Sequence, residues 1–187
     1  MSFRDISELR RAFQQGVDLK YLAFFGKQDW LSQHYTEAPF AYQGRTFLTA
    51  EHYMMYRKAL LFGDARMALA ILEAKTAPEA KRLGKLVSNF DTVLWDSYKS
   101  AIVTDGNLLK FSGNLELRAK LLSTGSAILV EANPKDFVWG VGLPKNDIRL
   151  EDPYAWKGKN LLGFALMEVR RRLHPRSEME SLLNTRG

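Results

Sequence analysis

A chain of 187 residues, 46% hydrophobic and 12% aromatic, is long enough for one domain with a full core, and its composition excludes a disordered chain. The absence of cysteine excludes disulfides, thiolate-ligated zinc, iron–sulfur clusters and a thiol nucleophile. The formal net charge of +6 suits a phosphate-bearing partner about as well as it suits an ordinary soluble surface.

No apolar run approaches the ~20 residues of a membrane span. The N-terminus, Met1 to Arg11, lacks the apolar core of a signal peptide, so a cytoplasmic location is expected. Ile6, Leu9, Arg10 and Phe13 at helical spacing predict a short amphipathic helix that stops at Gly16. Tyr21 to Phe25 reads as a buried strand. The segment from Gly26 to Pro39 reads as a loop rich in recognition groups: Lys27, Gln28, Asp29, Trp30, Ser32, Gln33, His34 and Tyr35. An aromatic ring beside polar donors suits a base-stacking pocket, although a Trp that pins a loop to the core is at least as common. Phe40–Tyr42 and Arg45–Phe47 flank Gln43-Gly44, a two-residue hairpin signal.

The hairpin leads into Thr49 to Asp64, which reads as the central helix. Thr49 is its N-cap and Gly63 its stop. Tyr53, Met54, Leu60, Leu61 and Phe62 predict burial over much of its circumference. Glu51 and Lys58 interrupt that apolar run. Seven positions separate them, so they share one side of the helix, about 10 Å apart along the axis. That is too far for a tight ion pair, yet one ligand could meet both. From spacing alone the bland reading leads, with a Glu favoured in the first turn and a Lys snorkelling to solvent. His52, with no second His or Cys near it, reads as structural or surface.

More helices are expected over Ala65–Ala74, from Ala77 with Pro78 in the first turn, and from Asp91 to about Thr104. Asp105-Gly106 reads as a turn before a further helical stretch, and Asn114 as the cap of Leu115–Ser123. Ala127–Ala132 and Phe137–Leu143 read as strands, the second carrying glycines that mark a close approach of a ligand or of backbone. Asn160 reads as the N-cap of a last helix, Leu161–Leu173. Arg170-Arg171-Arg172 suits the end of that helix dipole. The expected fold is α+β: a single helix-rich domain with a small mixed β-sheet built from the early strand, the hairpin and the two strands after Gly125. The boundaries are an N-terminal helix at 1–19, the main domain at 20–173 and a tail at 174–187.

Several segments in order resemble one family. They are Trp30-Leu-Ser-Gln-His-Tyr35, Thr49-Ala-Glu-His-Tyr-Met-Met55 continuing to Lys58 and Asp64, Asn107-Leu-Leu-Lys-Phe-Ser112, Asp136-Phe-Val-Trp-Gly-Val-Gly142, and Trp156-Lys-Gly-Lys-Asn160 with the helix that follows. Together they are similar to the NADAR (YbiA-like) domain over about residues 20 to 173. The resemblance implies an N-glycosidase that cleaves a ribose C1 bond to an exocyclic nitrogen, with no cofactor and no metal. Two substrate classes are implied: guanine carrying ADP-ribose, in DNA or as a nucleoside, and phosphoribosylamino-pyrimidine intermediates of riboflavin synthesis. The first makes a DNA ADP-ribosyltransferase toxin the functional partner. It also changes the reading of the central helix. Glu51 becomes the proton-transfer group and Lys58 a charge stabiliser or Schiff-base nucleophile. Asp136 becomes an acid/base or ribose-binding group. Trp30, Ser32, Gln33, Trp139, Gly140, Lys159 and Asn160 become substrate-binding residues, Asn160 at a helix N-terminus that could meet a phosphate. A non-catalytic nucleotide-binding module is the alternative from another class; it would keep the aromatic loop but have no use for the ionisable residues.

Overall fold

The computed structural model describes residues 3–174, so the tail predicted after His174 lies outside the described residues. In chain order the elements are α1 (Ile6–Gln14), β1 (Tyr21–Phe24), β2 (Phe40–Tyr42), β3 (Arg45–Phe47), α2 (Ala50–Leu61), α3 (Ala65–Glu73), α4 (Ala77–Gly84), α5 (Thr92–Ser112), α6 (Leu115–Ser123), β4 (Ile128–Glu131) and α7 (Leu161–Arg172), with a 3-10 turn at Ile148–Glu151. They form two compact units. One joins the N-terminal segment up to Phe25 to the chain from Leu115 onward, and the other runs from Gly26 to Asn114.

In the first unit β1 pairs in parallel with β4, Tyr21 opposite Ile128 and Phe24 opposite Glu131. All four β4 residues are buried, which is why this strand reads as an unbroken apolar run rather than an alternating one. Helix α7 packs on β4, where Gly163 leaves room for the Leu129 carbonyl, and Leu162, Leu166 and Val169 of the helix are buried. Helix α1 forms where predicted, with Asp5 accepting from the Ser7 and Glu8 amides as its cap. Arg170 is buried and donates to Thr124 and to the Ala127 carbonyl, while Arg171 and Arg172 pair with Glu168.

In the second unit α2 is the hub, packed against α3, α4 and α5. The hairpin forms at the predicted residues. Gln43 and Gly44 both have positive φ, the turn whose twist matches the two strands. Phe40 and Phe47 stack, and both meet the Tyr53 ring.

Three expectations are corrected. The single mixed sheet is instead two separate two-stranded sheets. Phe137–Leu143 is a series of bends: Val141 donates to the carbonyl of Glu131, the last residue of β4, and no ladder follows. Asp105-Gly106 is no turn, because α5 runs unbroken through it. Gly106 sits there because the Tyr53 ring passes so close that a β-carbon would lie 2.6 Å from it.

Candidate active site

Thr49 fixes the first turn of α2. Its backbone is extended and its hydroxyl accepts from the His52 amide. The same hydroxyl meets His52 Nδ1 at 2.8 Å, and His52 Nε2 meets the Ala74 carbonyl, so of the two readings, structural or surface, the imidazole is a buried structural brace. Glu51 follows the cap and is 3% exposed. Its amide donates to the Gln33 carbonyl at 3.0 Å, which ties the helix start to the recognition loop. His34 Nε2 stands 3.7 Å from the Glu51 carboxylate. Burial, helped by Lys81 and His52, holds His34 below its ordinary pKa, so it faces Glu51 as a neutral ring at neutral pH.

The loop from Trp30 to Tyr35 is held from the other side by α5. The Lys110 ammonium donates to the carbonyls of Trp30 at 2.7 Å and Ser32 at 3.1 Å. Asn107 Nδ2 donates to Gln33 Oε1 at 2.9 Å. The Ser32 hydroxyl accepts from the His34 amide, and the Trp30 ring meets Phe111 edge-on. Trp30 therefore pins the loop to the core, and the Gln33 amide is already engaged from within. The structure thus brings Trp30, Ser32, Gln33 and Glu51 into one hydrogen-bonded cluster.

Lys58 lies two turns further along α2 with its own partners. Its ammonium donates to the Gly84 carbonyl at 2.8 Å and sits over the Phe90 ring, with Trp95 beyond. Burial lowers its pKa.

Asp136, Trp139, Gly140, Lys159 and Asn160 belong to the other unit. One Asp136 oxygen accepts from the Val138 and Trp139 amides, closing a tight turn. Trp139 is half-buried and Lys159 exposed. Gly140 leaves space for the Glu131 carbonyl, so the glycine marks an approach of backbone.

Asn160 requires a correction. It stands before α7 with φ of +53° but makes no side-chain cap. Its side chain bridges to β4, accepting from the Glu131 amide and donating to the Leu129 carbonyl. The first α7 amides, Leu161 and Leu162, donate to the carbonyls of Val138 and Trp139. That helix start is filled by its own chain, which leaves Asn160 a structural brace and those two amides unavailable to a phosphate.

Lys110 and Asn107 lay inside a quoted motif yet drew no role from the sequence. Three positions apart on a helical stretch, an Asn and a Lys fit a solvated face as well as a buried one. The only available signal was their company of Val103 and Phe111 on the same helical face.

Among the described residues no His, Asp and Glu group could hold a metal, and no helix is long and apolar enough to cross a membrane. The NADAR domain model matches residues 23–174. An N-glycosidase of Acanthamoeba polyphaga mimivirus is 46% identical over 124 residues, covering 66% of this chain and 73% of the relative. N-glycosidase YbiA of Escherichia coli (strain K12) is 34% identical over 135 residues, 72% of this chain and 76% of that protein. The NMR structure of the E. coli protein YbiA superposes with a TM-score of 0.68 at 31% identity, over 87% of this chain and 88% of that one. The chain belongs to the NADAR domain family, the YbiA-like N-glycosidases.

Proposed function

We propose that the chain hydrolyses the bond between ribose C1 and an exocyclic amino nitrogen, with ADP-ribosylated guanine as its substrate. The observation that carries this reading is the Glu51 carboxylate, buried on the first turn of α2 beside the neutral His34 ring and anchored through its own amide to the loop of Trp30, Ser32 and Gln33. A buried carboxylate held in one place is suited to proton transfer.

Glu51, entering the reaction as the carboxylic acid, delivers its proton to the ribose ring oxygen, and the carboxylate so formed takes a proton back from the nucleophile that adds to C1 and passes it to the departing nitrogen. The C1–O bond opens as the nitrogen lone pair forms an iminium with C1. Water, or the neutral Lys58 amine, adds to C1. The exocyclic nitrogen then takes up a proton and leaves with the bonding pair. Where Lys58 is the nucleophile, water hydrolyses the resulting Schiff base and frees the sugar. Desolvation of Lys58 enlarges its neutral fraction, which supports the covalent route. The net charge of +6 favours a pyrophosphate or a DNA strand, and a DNA ADP-ribosyltransferase would be the source of such a substrate.

The test is release of ADP-ribose from a guanine-ADP-ribosylated oligonucleotide. The wild type is expected to release it, and Glu51→Gln, nearly isosteric, to be slower by about 10²–10⁴-fold with an unchanged melting temperature. Borohydride during turnover is expected to trap an adduct that Lys58→Ala does not form. A wild type that leaves the oligonucleotide intact but frees ribose 5-phosphate from a phosphoribosylamino-pyrimidine would move the substrate assignment to the riboflavin intermediates.

A further inference from the structure

Lys110 is a buried amine that the proposed reaction does not use. It is 2% exposed, and protein surrounds its ammonium: the carbonyls of Trp30 and Ser32 accept from it, and the rings of Phe111 and Tyr35 lie 5.0 and 5.2 Å away. No ligand could reach it without displacing these groups. Burying an amine to satisfy two main-chain carbonyls is a costly way to gain stability, since an apolar side chain of the same length commonly does as well. What the amine supplies instead is direction. It draws two carbonyls, two residues apart, to one point, and so imposes one path on the loop. Asn107, one turn earlier on α5, fixes the residue after Ser32 by donating to Gln33 Oε1. The Gln33 carbonyl is the acceptor of the Glu51 amide.

We propose that Lys110, with Asn107, is a positioning residue of the glycosidase: the pair clamps the Trp30–Tyr35 loop so that the Gln33 carbonyl holds the first turn of α2, and thereby sets the place of the Glu51 carboxylate. This rests on the reading of Glu51 as the proton-transfer group. Neither Lys110 nor Asn107 touches substrate.

The experiment compares wild type with Lys110→Met, which keeps length and removes the donors, and with Asn107→Leu as a second, milder variant should the first fail to fold. Two readouts are taken on the full chain. One is the hydrogen-exchange rate of the Glu51 amide relative to the Tyr53 amide, which bonds within the same helix start to the Thr49 carbonyl. The other is kcat and KM on the oligonucleotide, or on the pyrimidine substrate if that is the one hydrolysed. The expected result is a rise of tenfold or more in the exchange ratio and a fall of tenfold or more in kcat/KM, the larger part in kcat. For Asn107→Leu the expected changes are threefold or more.

Because the chain has no cysteine, Lys110→Cys alkylated with 2-bromoethylamine in denaturant and then refolded carries a lysine analogue at this one position, and it is expected to recover kcat. Equal acceleration of both amides would make the clamp a general stabiliser and overturn the proposal. A raised ratio with wild-type kcat also overturns it. In that case a dead Glu51→Gln leaves the function of Glu51 standing, whereas an active one removes that reading as well.

Discussion

At the scale of single residues, buried polar side chains in both units brace main chain that is distant in sequence. Asn160 is fully buried, and both ends of its amide are spent on β4. Its left-handed backbone is one that Asn and Asp tolerate better than most residues. Asn160→Asp therefore isolates the hydrogen bond from the backbone strain: it keeps the tolerance but sets a carboxylate oxygen against the Leu129 carbonyl. Losing that donor is expected to cost about 1–3 kcal/mol and lower the melting temperature by about 3–10 °C, read by circular dichroism. A melting temperature equal to wild type would show that the bridge to β4 carries no stability. The sequence placed Asn160 correctly at the start of a helix but could not show where its amide points, because the strand it meets is some thirty residues away in the chain.

Among the elements, α2 and α5 differ in how far they could be read in advance. Thr49 and Gly63 mark the ends of α2 within a few residues of the chain itself, so local pattern was sufficient there; of the apolar run, Tyr53, Met54 and Phe62 are buried as expected, whereas Leu60 is exposed and Leu61 half-buried. For α5 the Asp105-Gly106 pair carried a turn signal that tertiary packing overrode, since Gly106 is the space that Tyr53 occupies. Gly106→Ala gains about 1 kcal/mol of helix propensity but forces an overlap costing about 1–3 kcal/mol. The expected net result is a melting temperature lower by about 2–6 °C with helix content unchanged. A stabilised variant would mean that the α2–α5 contact relaxes freely. The segment Phe137–Leu143 failed as a strand for a related reason: its apolar run with interspersed glycines is real, but its main-chain groups go to Glu131, Lys157, Gly158 and Asn160 instead of a ladder partner.

For the whole molecule, the buried lysine predicts how stability depends on pH. Desolvation lowers Lys110 from 10.5 to about 7, against a smaller opposing pull from Asp29. Between those values the unfolded chain holds a proton that the folded chain has released, so unfolding takes up protons and stability rises with pH from about 7. Lys58, also lowered by burial, acts in the same direction. Burial raises Tyr21 to about 12 and also raises Tyr53, so above about 10 the unfolded tyrosines ionise first and stability falls again. His34 and His52 are held below their ordinary values and titrate outside this window. The expected melting temperature is higher at pH 9 than at pH 7 by about 3 °C or more, with most of the rise lost in Lys110→Met. A flat profile in the wild type would place the amine in water.

By itself the sequence determined the class of the fold, most of the helix limits, the hairpin and the family, because caps, turn residues, apolar periodicity and ordered motifs are all local or additive along the chain. Only the tertiary structure decided that the strands form two small sheets, that Asn160 braces β4, and that Lys110 and Asn107 hold the loop beside Glu51. Each of those depends on partners distant in sequence, and the same side chains are equally at home on a solvated helix face until packing takes the water away.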